Sequence, residues 1–451
     1  MDIRSVFRVL LLSLVGWSVI PMLPANALSE DASWGMVSSP NRGTKENELA
    51  GLAVIASDDI WATGRYNSGR PPTVTGRDTL ALHWDGTAWA VVPTPNPTWS
   101  GADFFTLEDA AAVSPTDVWS VGYAEDFASL KSTTLVERWN GSAWRIIPSP
   151  NPGGSNLPNT LSSVAVAASN DIWAVGGGGY PERSLILRWN GSRWRPVRNG
   201  CGVPLNGVDI VSATDIWAVG SSTTCHFDGK TWAVIPSPQP RSQYNEIAYI
   251  LQDVSAVGPD DVWASGHRVI EQGEYLTDLS IIEHWDGTAW TLTTDVDGQS
   301  LHGIEALAAN DAWAVGTDGT QGIVLHFDGI GWNLVPSPTP GNSGSLADVE
   351  AETADHLWAA GTALTKTLIL EAPSRFEGTV IGDTNVAGAT VSWFGPETGS
   401  TETDSGGEFA IAGLTAGTYD LIATYTGCNP ASADVVVTAG LTVRQDLPLH
   451  C

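Results

Sequence analysis

The sequence predicts an all-β chain in which one unit of about fifty residues is repeated seven times. Three observations carry that reading. An Asp-apolar-Trp segment ends at Trp61, Trp119, Trp173, Trp217, Trp263 and Trp313, and His356-Leu357-Trp358 is a seventh copy. After each of the first six Trp comes an Asp-Gly or Asn-Gly pair between aromatics, its closing Trp 15 to 28 residues on, as in Trp84-Asp85-Gly86 to Trp89 and Phe227-Asp228-Gly229 to Trp232. The composition, with 48 Gly, 27 Pro and 16% charged residues, argues against long helices.

The first residues read as an address. Arg4 and Arg8 precede an apolar run over residues 9–23, and Ala25-Asn26-Ala27 offers small side chains at a cleavage site. This pattern predicts a secretory signal over residues 1–27. No later stretch is apolar for long enough to span a bilayer, so a secreted, extracellular protein without a membrane span is expected. The 50 acidic against 21 basic residues, a net charge of −29, exclude nucleic acid as a partner, because phosphate contacts need Lys or Arg.

Each unit reads as four short strands, a to d; in unit 3 they cover residues 161–166, 172–175, 185–189 and 194–197. Asp-Gly and Asn-Gly between c and d predict a tight type I′ turn, whose positive φ both residues tolerate. Four strands per unit over a long repeat fit a β-propeller blade better than a solenoid coil. Eighteen of the 21 Trp fall at repeat positions, where blade-to-blade packing is their expected role. Unit 7 has no c–d hairpin. Instead Trp34-Gly35-Met36-Val37 at the N-terminus matches strand d text such as Trp332-Asn333-Leu334-Val335. The reading is a seven-bladed β-propeller over residues 28–375, closed by the N-terminal strand so that no surplus edge is exposed.

Residues 376–451 leave the repeat. They contain Gly388-Ala389-Thr390-Val391, a Thr403-Asp404 turn leading to Phe409, and Gly417-Thr418-Tyr419-Asp420-Leu421. This string resembles the carboxypeptidase regulatory-like (transthyretin-like) domain, and the resemblance implies a small β-sandwich that spaces or docks without chemistry of its own. The repeats resemble the Trp-Ala-Val-Gly proteins secreted by bacteria, akin to kelch-like and galactose-oxidase-like propellers; that likeness names no activity. The four cysteines fall into two pairs distant in sequence, so Cys201–Cys225 and Cys428–Cys451 are the expected disulfides in an oxidising compartment.

In such a blade the d-to-a and b-to-c connections share one face, and there they are long and unequal. Variable loops on a rigid frame are where binding usually sits. Two groups of candidate ligand-binding residues follow. Glu108, Asp109, Asp253, His302 and Asp348 occupy the second and third positions of strand a, expected near the channel mouth, where converging acids can hold a cation or act as acid and base. Trp99, Phe105, Tyr66, Tyr123 and Tyr275, with Arg65, His267 and Arg268, are placed in the long loops, where aromatics can stack on sugars or anchor a protein.

Other residues carry less. His83, His226, His284 and His326 share their position with Arg138 and Arg188, which argues against metal ligation; the repeated Asp are expected to bond turn backbone. No Gly-x-Ser-x-Gly, His-Glu-x-x-His, phosphate loop or dinucleotide fingerprint occurs, and no cofactor, metal or catalytic residue is assigned. The expected function is that of a monomeric secreted binding or scaffold protein recognising an extracellular carbohydrate or protein through the long-loop face. The alternative is an extracellular polysaccharide- or glycan-acting hydrolase or lyase using carboxylates near the channel mouth.

Overall fold

The computed structural model describes residues 34–69, 76–97, 103–126, 129, 131–154, 157–179, 183–238, 245–272, 275–297, 299–353, 356–372, 375–382, 386–396, 398–404, 406–412, 417–437 and 442–451. The expected signal segment lies outside them. The described chain is all-β save for one 3-10 turn at Pro340–Asn342, and no helix in it is long and apolar enough to cross a membrane.

The repeat folds as antiparallel four-stranded sheets. In unit 3, strand a is Asn159–Ala168, b is Asp171–Gly178, c is Arg183–Trp189 and d is Trp194–Pro196, hydrogen-bonded in that order. Units 1 and 2 are fused into one larger sheet by a parallel bridge between Arg77 and Phe104. In unit 7, strands a (Gly344–Thr353), b (His356–Ala363) and c (Lys366–Glu371) are joined on the outside by Gly35–Met36, which pair with Glu371 and Leu370. The a strands of consecutive units touch, and that of unit 7 touches that of unit 1, Asn47–Ala56. The whole resembles a propeller.

The indoles form the seams. Trp61 of unit 1 lies 4.8 Å from Trp139 and 5.2 Å, edge-on, from Trp144 of unit 2. The same relation joins Trp119 to Trp189 and Trp194, Trp217 to Trp285 and Trp290, and Trp358 of unit 7 to Trp84 and Trp89 of unit 1. Trp34 meets Trp313 at 5.6 Å and is 1% exposed. Burying one such ring contributes about 1.5–3 kcal/mol.

The repeated Asp do something other than bond turn backbone. Asp59 accepts from His83 Nε2 at 2.7 Å, and the ring of His83 lies 4.4 Å from Trp61. Asp117 takes both arms of the Arg138 fork at 2.7 and 2.8 Å, and that guanidinium stands 4.8 Å over Trp119. Each indole therefore has the next unit's aromatics on one side and its own unit's His or Arg, oriented by the Asp, on the other. Unit 7 keeps the pair with the partners exchanged: His356 stands in the Asp position, Glu371 in the His position, and they meet at 3.4 Å. The Trp358 N–H donates to His356 at 3.0 Å.

The c–d hairpins differ from a two-residue type I′ turn. Four residues separate Trp84 from Trp89, and only Gly86 has positive φ, at 86°. Asp85 Oδ1 instead accepts from the Thr87 N–H, the Thr87 hydroxyl and the Ala88 N–H at 2.7–2.9 Å. Asn140 does the same in unit 2. Both expected disulfides are present.

Residues from Arg375 onward form two further sheets: Glu408–Ala412, Arg375–Ile381 and Thr442–Arg444, with Leu447–Pro448; and Thr398–Glu402, Thr390–Phe394, Gly417–Thr424 and Ala431–Val437. Val391, Phe409, Tyr419 and Leu421 are among the side chains buried between them.

Candidate functional site

The a strands line a central cavity of about 590 Å³, and Glu108, Asp109, Asp253, His302 and Asp348 all border it. Their convergence was legible from position alone. What their atoms bond to was not. Asp109 Oδ1 accepts the N–H of Ala110 at 2.6 Å, while Oδ2 accepts that of Val164, in the next unit, at 2.8 Å. Asp253 repeats this with Val254 and Ile304, and Asp348 with Val349 and Leu52. Asp348 thereby ties unit 7 to unit 1. Asp209, two residues further along its strand, bonds Ile210 and Ala256 in the same way. These carboxylates are staples, each offering both oxygens to backbone donors of two neighbouring a strands.

The glycines facing them explain how the strands come close enough. A Cβ on Gly51 would stand 2.5 Å from the Asp109 Cα, and one on Gly207 2.8 Å from the Asp253 Cα. Unit 6 places Gly303 against Asp348 in the same manner. At Asp109, Asp253 and Asp348 the carboxylate staple thus goes with a glycine in the unit before it.

The second position also bridges units, through the opposite backbone group. Asn206 donates to the Leu251 carbonyl at 2.8 Å, and His302 Nδ1 donates to the Leu346 carbonyl at the same distance. Burial holds His302 below the usual histidine range. Glu108 differs: it accepts from the Thr106 hydroxyl at 2.9 Å and pairs with Arg65 at 3.5 Å.

Packing so many acids around one cavity raises their affinity for protons. Burial, followed by the charge of Asp348 across the cavity, pushes Asp109 up to about 8. Burial and then Asp209 push Glu305 to about 8, and burial brings Asp348 to about 6. Asp253 and Glu350 are also raised, by burial first and by the other cavity acids after it. Among the described residues no group of three or more His, Cys, Asp or Glu is arranged to hold a metal ion.

The second group of candidates is dispersed. Phe105 is fully buried and Tyr66 is 9% exposed, because both sit at inward positions of strands and pack into the core instead of projecting from loops. Tyr66 donates to Asp78 and lies under Arg42. His267 and Arg268 fall in strand b of unit 5, Asp261–Gln272, which pairs along its whole length with strand c, Tyr275–Trp285. The expected long loop there is an extended hairpin. Arg268 is buried, and His267 is lowered by burial, with Asp278 opposing the shift and His302 adding to it. Trp99 and the side chain of Tyr275 lie outside what the structure describes.

Arg65 and Tyr123 stay together on the long-loop face. Arg65 ion-pairs with Glu48 and Glu108, donates to the Thr106 hydroxyl at 3.3 Å, and lies 5.6 Å over Phe104. Phe104 in turn stacks on Tyr123 at 5.8 Å.

Two features went unread in the sequence. Glu137 and Glu283 are both fully buried two residues before the Trp that ends strand c, where Leu82 and Leu187 stand in units 1 and 3. Glu283 accepts from Tyr249 and Ser237, and burial raises it to about 7. Glu137 has Thr79 at 3.5 Å and, among the described residues, one oxygen without a partner; burial raises it well above the usual glutamate range. An acid at a position filled in other units by Leu82, Leu187, Cys225 and Leu325 was the available signal.

The comparisons with known proteins bear on the two halves differently. Residues 375–450 match the family model of the carboxypeptidase regulatory-like domain. The chain ends in such a domain. No curated protein sequence matches the chain. Among solved structures, "YCF48 bound to D1 peptide" is 12% identical, covers 75% of this chain and 94% of its own, and has a TM-score of 0.47. YCF48 from Cyanidioschyzon merolae is 13% identical over 76% of this chain and 98% of its own, at 0.46. The WD40 repeats of RRP9 are 10% identical over 75% and 97%, at 0.49. Likeness at this level carries nothing about the function of this chain.

Proposed function

We propose that the chain is a secreted, monomeric binding or scaffold protein that recognises an extracellular carbohydrate or protein through the long-loop face of a seven-bladed propeller closed by the N-terminal strand. The propeller spans residues 28–375 in this reading, and the C-terminal domain spaces or docks it. Closure is supported by the pairing of Gly35 and Met36 with unit 7 and by the bond from the Leu52 N–H to Asp348. Export is supported by the two disulfides.

One observation favours binding over hydrolysis. Asp109, Asp253 and Asp348 use both carboxylate oxygens on backbone N–H groups. A glycosidase needs two carboxyl groups free to exchange protons with a sugar or water. Staples are poorly suited to that work.

The test is a screen of glycan and peptide arrays with the wild-type chain, Arg65→Ala on the long-loop face and Asp286→Asn on the opposite face. The reading expects a ligand whose signal is lost with Arg65→Ala and kept with Asp286→Asn. A signal that follows Asp286, or turnover of an arrayed glycan that stops with Asp109→Asn, contradicts it.

A further inference from the structure

A second, smaller cavity of about 400 Å³ opens between units 2 and 3, bordered by Glu108, Tyr123, Glu125, Ser132, Thr160 and Ser162 among others. Alternation along strand b of unit 2, Asp117–Asp126, sets Tyr123 and Glu125 on the same face. Strand pairing puts Phe104 opposite Glu125 and Thr106 opposite Tyr123. The result is an aromatic ring with a carboxylate on either side, backed by Phe104, in a groove edged with hydroxyls. Among the described residues no Lys, Arg or His is part of its lining.

The molecule itself shows what such a seat holds. On the unit 1 side of the same aromatic pair, the Arg65 guanidinium rests over Phe104 and pairs with Glu48 and Glu108. The groove shares Glu108 with that pair and adds Glu125 and the Tyr123 ring, and among the described residues Glu125 has no ion pair. Its electrostatics agree. Burial and then the charge of Glu108 push the Tyr123 hydroxyl up to about 12, and burial with the charge of Asp103 raises Glu125. An arriving cation relieves that crowding and gains the ring face.

We propose that this groove receives a basic side chain, lysine in the first instance, from a protein partner. This rests on the long-loop face being the working surface and makes the partner a protein with an exposed ammonium group. The hydroxyls of Ser132, Thr160 and Ser162 supply acceptors for the ammonium hydrogens that the two carboxylates leave over.

The probe is the capped peptide acetyl-Gly-Lys-Gly-amide, titrated into the full chain by NMR, beside the same peptide acetylated on the lysine amine. The ammonium peptide is expected to bind saturably at about millimolar strength, and the acetylated one not to bind. Glu125→Gln and Tyr123→Leu should each weaken binding roughly tenfold. Glu125→Gln keeps the shape of a half-exposed side chain, so it tests the site even if Tyr123→Leu folds poorly. Equal binding of both peptides, or unchanged binding by Glu125→Gln, overturns the proposal. So does an equal loss in Asp286→Asn, which marks diffuse attraction to a chain of net charge −29. An array ligand that still depends on Arg65 while the peptide fails to bind removes the groove and leaves the loop-face reading in place.

Discussion

The repeats gather acids at two places, the cavity and the c–d hairpins, and the two sets behave in opposite ways. At the cavity end, Asp109, Asp348 and Glu305 hold protons up to about 8, 6 and 8. At the hairpin end, Asp85 and Asp286 are held down at about 2 by hydroxyl and N–H donors of their own turns. Both sets accept backbone hydrogen bonds, so donors alone do not decide the outcome. Water does. A hairpin carboxylate keeps its solvation and adds donors; a cavity carboxylate loses solvation and faces other acids.

The difference is clearest against pH. The cavity acids have folded-state values raised above the ordinary 3.8–4.5, so the stability they add is fully present below that range and is lost as pH climbs through about 6 to 8. The hairpin acids are lowered, so their contribution is present above 3.8 and fades as pH drops toward 2. The largest expected effect is a melting temperature highest between about pH 4 and 5 and falling steadily to pH 8. A profile flat from pH 5 to 8 would break the comparison at its cavity end.

Next in size is Asp348→Ala, which strips two backbone donors of their acceptor where unit 7 meets unit 1. It should cost about 2–3 kcal/mol at pH 7 in a denaturant titration. Smaller and of opposite sign is Glu350→Gln. No backbone bond to Glu350 is described, and burial, then the other cavity acids, raise it. Replacing its carboxyl should raise stability at pH 8 in the same titration and leave stability at pH 4 unchanged. Smallest is Asp286→Asn. Asn140 and Asn190 already make the same turn bonds, so its melting curve should overlie the wild type.

What was legible in the sequence follows from how local each signal is. The Asp-apolar-Trp and Asp-Gly segments report hairpins within a unit, and they located the strands to within a few residues. The match of Trp34 to the strand d pattern is a sequence likeness of the same local kind. The partners of the repeated Asp were hidden because His83 or Arg138 lies some twenty residues away on another strand. The exchange of His356 and Glu371 in unit 7 was the covarying clue to that pairing. At the site, the strand register brought Glu108, Asp109, Asp253, His302 and Asp348 to one cavity, as their positions implied. Their saturation by donors from the next unit depends on how closely strands approach, which glycines such as Gly51 govern only in three dimensions. Tyr66 and Phe105 read as loop aromatics because residues near strand ends were assigned to loops that the structure builds as longer strands.

The proposed ring closure depends on the N-terminal strand completing the last unit. Trp34 is 1% exposed, Ser39 and Thr367 share a hydrogen bond at 2.8 Å, and the Thr367 N–H donates to Asn41 at 3.0 Å. The direct measurement is thermal unfolding, followed by near-ultraviolet circular dichroism of the indoles, for the chain begun at residue 28 and the chain begun at residue 42. Loss of one buried indole and its strand should cost about 3–5 kcal/mol, giving a markedly lower and broader transition. Superimposable transitions would contradict a ring closed by its own beginning.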